Sequence, residues 1–475
     1  MIGVGAVSDA APAVDLMVRA SLEAARDTGA PGLLSGVDRV VVPQGTWSLT
    51  DPGRTVARKV GAPSARTVLC EIGVSQQEMI NEALAAIAGG QCDIVLVVGG
   101  EARAFARSGG VEVDEESSPP DHTVIRPPDF VAPVEMAAGI VIPPVQQYAL
   151  IENALGAHVG LTQAQQQSEV SGLWARFNTV ARGNPLAAFA EPRSAPEIAQ
   201  PGPGNRPLAF PYNRWHASQW TVDQAAALLF CSAGRAEAAG VRKDRWIFPR
   251  VALHSSAAIT LSARRDLHRW PAMATLGRAA VRHLGMPLSD LALAEVYSCF
   301  PAAVRVQQRE LGLDPDGTPT LTGGMTFAGG PFNNYVLQSS VALAHRLREE
   351  PGELGLVTTV SGMLSKPGLA VWSCTPPTRS RGPLLADLAP EAVAETAVLP
   401  LAAAQPTGGP ATVASFTVTY APEDPLRPVR SAIVADLANG ERTAATCEDE
   451  ATARLAISEG LIGRRVHLAS TTFEL

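Results

Sequence analysis

The chain has few side chains in arrangements that do chemistry. Its six cysteines stand at 70, 92, 231, 299, 374 and 447. No two have metal-ligand spacing, and they do not form a disulfide framework. The histidines at 254, 268, 283 and 345 are irregularly spaced and show no metal pattern. Ser75 is a hydroxyl at the start of a helical run, with no histidine near it in sequence to serve as its base. Glu78 stands three residues later, so the pair reads as a capping box. Cys70 falls inside an apolar run, where a cysteine is ordinary packing. Tyr297 can act as acid or base if its surroundings shift it. The run Gly323-Gly324-Met325-Thr326-Phe327-Ala328-Gly329-Gly330-Pro331 is dense in turn formers. Gly330 can neither donate a side-chain hydrogen bond nor move a proton.

These residues depend on the elements around them. Val14–Thr28 has helical periodicity, and Val37–Val42 and Val68–Ile72 read as short buried strands. Ser75–Ala88 is the clearest helix, with Met79, Ile80, Leu84 and Ile87 on one face. Asp93–Val98 is an apolar strand of parallel-sheet type. Residues 108–133 are polar, acidic and proline-bearing; Val145–Leu155 and Gln163–Val180 read as helices. Residues 184–213 are proline-rich and too long for an ordinary loop. Regular α/β pattern returns at Val222–Ala239 and Trp246–Leu253. Tyr335–Arg348 (helix) and Leu354–Val360 (strand) echo the first section. Thr375–Pro383 and Gln405–Ala411 read as linkers. Val413–Tyr420 alternates as a strand. Ser431–Leu437 and Thr443–Cys447 flank Asn439-Gly440, a strong hairpin signal. A helix at Glu450–Glu459 and a strand at Arg465–Ser470 follow.

With 475 residues, 46% hydrophobic and 18% charged, the chain suits about three globular domains. A net charge of −8 argues against nucleic acid or a membrane surface as the main partner. No apolar stretch reaches about 18 residues, and the N-terminus lacks the basic start and apolar core of a signal peptide. These features predict a reducing, cytoplasmic location.

The motifs and their order resemble the thiolase superfamily over about residues 1–380, and within it the group called thiolase-like protein type 1. The signatures are Val74-Ser75-Gln76-Gln77, VLVVGGEA at 95–102, VDQAAALL at 222–229, Tyr297-Ser298-Cys299-Phe300, the Gly323–Pro331 run and GLVTTVSGMLSKPGLAVWS at 355–373. The resemblance implies an α/β thiolase fold of two βαβαβαββ halves in a five-layered αβαβα core. Residues 1–107 and 220–244 would form the first half, 108–219 an inserted loop domain and 245–382 the second half. Residues 383–475 would form an additional small β-barrel-like domain, a further mark of that group.

It also implies which positions should carry chemistry. The nucleophile position falls at Gly73, Val74 and Ser75, and the acid/base C-x-G turn at Val360-Ser361-Gly362. The G-G-x-x-x-x-G-H-P histidine falls at Gly330. The Asn-Glu-Ala-Phe or His-Asp-Cys-Phe motif is replaced by Tyr297-Ser298-Cys299-Phe300. All four have changed, and losing one member of such a unit typically costs orders of magnitude in rate. Thiolysis and Claisen condensation by the usual route are expected to be absent.

Ligand binding transfers more readily. The resemblance implies coenzyme A or acyl-coenzyme A as a non-covalent ligand, with no metal. The pocket residues would be Ser218, His216, Arg214 and Arg182, with Arg176, Arg193 and Arg206 as further candidates for its phosphates. Thiolase-superfamily aldolases that lack the cysteines are thought to use tyrosines and work with a small β-barrel partner of the DUF35 type. A second expectation is therefore a retro-aldolase for a β-hydroxyacyl-coenzyme A, using Tyr297 with Tyr335 facing the same cavity. A third is a non-enzymatic interaction protein that docks a protein partner through its C-terminal domain. Most thiolases pair through sheet edges near the nucleophile helix; the extra domain and changed surfaces favour a monomer here.

Overall fold

The computed structural model describes residues 1–116, 120–378, 380–404 and 408–475. Residues 117–119 of the polar stretch, 379 of the first expected linker and 405–407 of the second lie outside it.

The first sheet begins with β1 (Gly3–Ser8), β2 (Arg39–Pro43), β3 (Arg66–Cys70), β4 (Ile94–Ala102) and β5 (Thr123–Ile125). Two short strands, β6 (Pro207–Ala209) and β7 (Tyr212–Asn213), go elsewhere before β8 (Asp223–Cys231) completes it. The order is β1-β8-β4-β2-β3-β5. Every residue of β4 is buried, as a strand covered on both faces requires.

The second sheet contains β9 (Phe248–His254), β10 (Leu293–Glu295), β11 (Leu354–Ser361), β12 (Lys366–Ser373) and β13 (Leu384–Asp387), in the order β10-β11-β12-β9-β13. Four strands of each half correspond, and β3 has no counterpart in the second sheet. In the first, β1 and β4 both run antiparallel to β8, and β2 lies parallel to β4. In the second, β9 and β11 both run antiparallel to β12, and β10 lies parallel to β11. The helices Gln76–Ala88 and Tyr335–Glu349 each touch strands of both sheets, so they form the middle layer. Ala13–Asp27 packs on the outer face of the first sheet and Pro271–Leu284 on that of the second. This is the expected five-layered architecture.

Two edge strands were not apparent from the sequence. β5 pairs in parallel with β3, and β13 with β9. Both are short pieces from stretches with little periodicity.

The last strands are β14 (Gly409–Tyr420), β15 (Pro428–Leu437), β16 (Arg442–Cys447), β17 (Arg465–Ala469) and β18 (Thr472–Glu474). Pairing runs β14-β15-β16-β18-β17 and returns to β14, which closes a five-stranded barrel. Asn439-Gly440 makes the hairpin turn, with Gly440 at φ 85°. Val413, Phe416, Val418, Ile433, Leu468 and Phe473 fill the interior. The barrel is tied to the inserted region. Asn153 Nδ2 donates to the carbonyls of Phe210 (3.2 Å) and Phe416 (2.8 Å), Ser415 Oγ donates to the Leu150 carbonyl (2.6 Å), and β6 meets β14 at Ala209 and Thr419.

Candidate functional site

The glycine-rich loop is held from below by a buried carboxylate. Glu295, at the end of β10, accepts from the hydroxyls of Thr320 and Thr322, from the Leu321 and Thr322 amides and from the Tyr335 hydroxyl at 2.7 Å. Burial pushes the Glu295 carboxyl up, and these donors oppose the shift. The loop itself lies flat on the helix Gln163–Ala181. Gly323 (φ 94°) and Gly324 (φ 78°) have positive φ, and a Cβ at Gly323 would strike the Ala181 backbone. Thr326 pins the loop's centre, accepting from Trp174 Nε1 at 2.9 Å and donating to the Ala217 carbonyl at 3.0 Å.

At Gly330 a neighbour occupies the place where a side chain would start. A Cβ there would fall on Ser218 Oγ. Backbone bonds fix both partners: Gly330 N donates to the Gln219 carbonyl (3.0 Å) and Ser218 N to the Cys299 carbonyl (2.9 Å). No side chain fits at 330 unless Ser218 moves.

The other positions that the motifs single out are closed. Val74, Ser75, Ser298 and Val360 are all buried. Ser75 is the N-cap residue of Gln76–Ala88 but makes no side-chain cap, which corrects the full capping-box expectation. Ser75 Oγ is buried with no hydrogen-bond partner among the described residues. Ser298 Oγ accepts from the Met325 amide at 3.1 Å. Ser361 Oγ donates to the Gly73 carbonyl at 2.6 Å, so the two turns that would carry the thiols are stitched together. Cys70 ends β3, where burial pushes its thiol well above the ordinary range. Burial pushes the Cys299 thiol up to about 12. Neither is a thiolate near neutral pH.

Two expected pocket residues belong to the core. His216 is fully buried; its Nε2 meets Ser171 Oγ at 3.0 Å and its Nδ1 accepts from the Asn213 amide at 3.1 Å. Burial lowers its pKa to about 3, so it is a neutral, satisfied core histidine rather than a ligand contact. Tyr335 does not face a cavity as acid or base. Its hydroxyl is committed to Glu295 and Thr322. Tyr297 stands edge-on to Tyr335, with ring centroids 5.9 Å apart. Burial, then the nearby Cys299, pushes its phenol far up, so it stays protonated.

The expected arginines remain available. Arg193 and Arg214 stack on Trp215, their guanidinium carbons 3.7 and 4.9 Å from the ring centroid. Arg214 and Arg206 are exposed, as is Arg182 at the end of the helix Gln163–Ala181. Arg176 Nε donates to Thr318 Oγ1 at 3.2 Å. The structure thus brings Ser218, Arg214 and Gly330 into one stretch and removes His216 from it.

One residue passed over in the sequence stands out. Lys366 opens β12 and is 1% exposed, and its Nζ has no hydrogen-bond partner among the described residues. The signal was available as a lysine opening an otherwise apolar strand.

No protein-family model matches the chain. The 3-ketoacyl-CoA thiolase of Aeromonas salmonicida is 30% identical over 143 residues, covering 30% of this chain and 35% of that protein. The acetyl-CoA acetyltransferase of Methanocaldococcus jannaschii is 28% identical over 142 residues, covering 26% and 36%. The alignments thus span about a third of each curated relative. Among solved structures, a monomeric SCP2-thiolase-like protein type 1 from Mycobacterium smegmatis superimposes with a TM-score of 0.84 at 29% identity, covering 100% of this chain and 98% of that one. Human mitochondrial 3-ketoacyl-CoA thiolase (TM-score 0.56, 16% identity) and an aldolase complex named Ltp2-ChsH2(DUF35) (0.59, 20%) each cover 78% of this chain and 97% of their own. The chain is a homologue of thiolase-superfamily proteins and has the thiolase fold.

Proposed function

We propose that this thiolase-superfamily homologue binds coenzyme A or an acyl-coenzyme A thioester and has lost thiolysis and Claisen condensation. The observation that carries the reading is Ser218 Oγ lying where a side chain at Gly330 would start. In this reading the motif's histidine is not only absent; Ser218 Oγ stands where its Cβ would be. Ser75 and Ser298 do not rescue the chemistry. The first has no partner among the described residues to take its proton, and the second is held as an acceptor. The ligand reading rests on the names of the relatives, both acyl-coenzyme A enzymes, and on Arg193 and Arg214 stacked on Trp215 near Ser218. Planar guanidinium groups there suit phosphate recognition. A monomer fits the same reading, since β5 covers the β3 edge beside the nucleophile helix.

Calorimetry with coenzyme A and acetyl-coenzyme A should show micromolar binding, and acetoacetyl-coenzyme A thiolysis should stay at background. Thiolysis that survives Cys70→Ala and Cys299→Ala would overturn the residue assignment.

A second reading draws on Tyr297. Its buried, protonated phenol could supply the proton that a thioester enolate takes up after carbon–carbon cleavage. Undiminished cleavage of a β-hydroxyacyl-coenzyme A by Tyr297→Phe would end that reading.

A further inference from the structure

Of the 38 basic side chains, three are lysines: Lys59, Lys243 and Lys366. The first two are ordinary surface residues. Lys59 pairs with Asp15 (3.0 Å) and Glu115 (2.6 Å), and the Lys243 side chain is 80% exposed, 3.6 Å from Glu237. Lys366 is buried and makes no ion pair among the described residues. In a chain that uses arginine for nearly all its cations, a buried lysine is informative. Arginine holds its charge in any protein environment, whereas lysine can shed its proton when desolvated.

Its surroundings are the two turns that carry the thiols in thiolases. Across the β11–β12 ladder its register partner is Ser361, whose hydroxyl donates to the Gly73 carbonyl. The ring of Phe130, from the inserted region, covers Nζ with its centroid 4.5 Å away. The same ring lies against Gly73 and Gly362, where an added Cβ would meet it at 3.0 and 3.3 Å. Burial lowers the Lys366 pKa to about 8, against the charge of Glu78 on the neighbouring helix, so the free amine is far more populated near pH 8 than in an ordinary lysine. A desolvated lysine of this kind is an activated nucleophile.

We infer that Lys366 is an acyl acceptor, covered by Phe130, that takes the acyl group from a thioester bound in this site. The inference rests on the thioester-binding reading above. The nitrogen lone pair attacks the thioester carbonyl carbon. A carbon–nitrogen bond forms as the carbon–sulfur bond breaks. The departing thiolate takes up the proton that the nitrogen loses. The products are an amide on Lys366 and free coenzyme A thiol, with no redox change and no further reactant. Because an amide is stable, the event is a single modification of the protein rather than a turnover.

With only three lysines, the test has its controls built in. The full chain is incubated with acetyl-coenzyme A at pH 8, and each lysine peptide is quantified by mass spectrometry. Lys366 should be acetylated at least about tenfold faster than Lys59 and Lys243, with one thiol released per acetyl group. Phe130→Ala should raise the Lys366 rate further, and Lys366→Arg should abolish its label. Equal labelling of all three lysines would overturn the inference. Calorimetric binding of coenzyme A without Lys366 acetylation would overturn it while leaving the binding reading intact. p-Nitrophenyl acetate, an activated ester without the coenzyme A moiety, is run in parallel. If it labels Lys366 in a chain that does not bind coenzyme A, both the thioester donor and the binding reading fall.

Discussion

Two buried polar clusters near the centre of the molecule follow opposite rules. Around Glu295 the carboxylate collects hydroxyls and amides from Thr320, Leu321, Thr322 and Tyr335. Around the two middle helices and the β11–β12 hairpin, Ser75 Oγ, Gln77 Oε1, both amide atoms of Asn334, Thr359 Oγ1 and Lys366 Nζ have no partner among the described residues. Buried polar groups are normally satisfied, so the exceptions call for an explanation. The contrast separates architecture from inheritance. The Glu295 cluster holds the glycine loop and is complete within the chain. The second adjoins the turns at Gly73 and Gly362, and its bonding is incomplete among the described residues.

The comparison can be tested by removing one member at a time. Glu295→Ala should be the most damaging change. It strands several buried donors at once, and a loss of about 3–5 kcal/mol in urea unfolding is expected. A loss below about 1 kcal/mol would mean that the cluster is not architectural. Gly330→Ala comes next, at about 1–3 kcal/mol, because its methyl group collides with Ser218 Oγ. Ser218→Gly in the same chain should recover most of that cost, and a double-mutant cycle would show the coupling; additive effects would refute this account. Ser75→Ala should do least, staying within about 0.5 kcal/mol, because its hydroxyl caps nothing. A cost of about 1 kcal/mol, normal for a working N-cap, would restore the capping box.

The parts legible in the sequence were those fixed by local signals. The helix Glu450–Glu459 and the Asn439-Gly440 hairpin appear as read, because caps and turn residues act within a few positions. The glycine at the motif's histidine position was legible too. The approach of Ser218 Oγ to it was not, since the two residues are far apart in sequence and are brought together by the backbone bonds of Gly330 to Gln219 and of Ser218 to Cys299. His216 was expected in the pocket because the resemblance places its segment at the pocket edge, but its ring turns inward to Ser171 while Arg214 is exposed and Ser218 half-buried. Edge strands β5 and β13 escaped because strands of three and four residues carry no periodicity. Lys366 was hidden in plain view. Its meaning came from Phe130, more than 200 positions earlier.

The strand Thr123–Ile125 has a consequence for how the molecule behaves in a crowd. A sheet edge is adhesive, because its row of open amides and carbonyls will accept any extended peptide that arrives. On the β3 side that row is occupied by the chain's own β5. The new rim is only three residues long and is followed closely by Pro127 and Pro128, which have no amide hydrogen to offer. An incoming strand therefore finds too short a template to zip onto. The short strand thus protects the sheet against fibrous self-assembly.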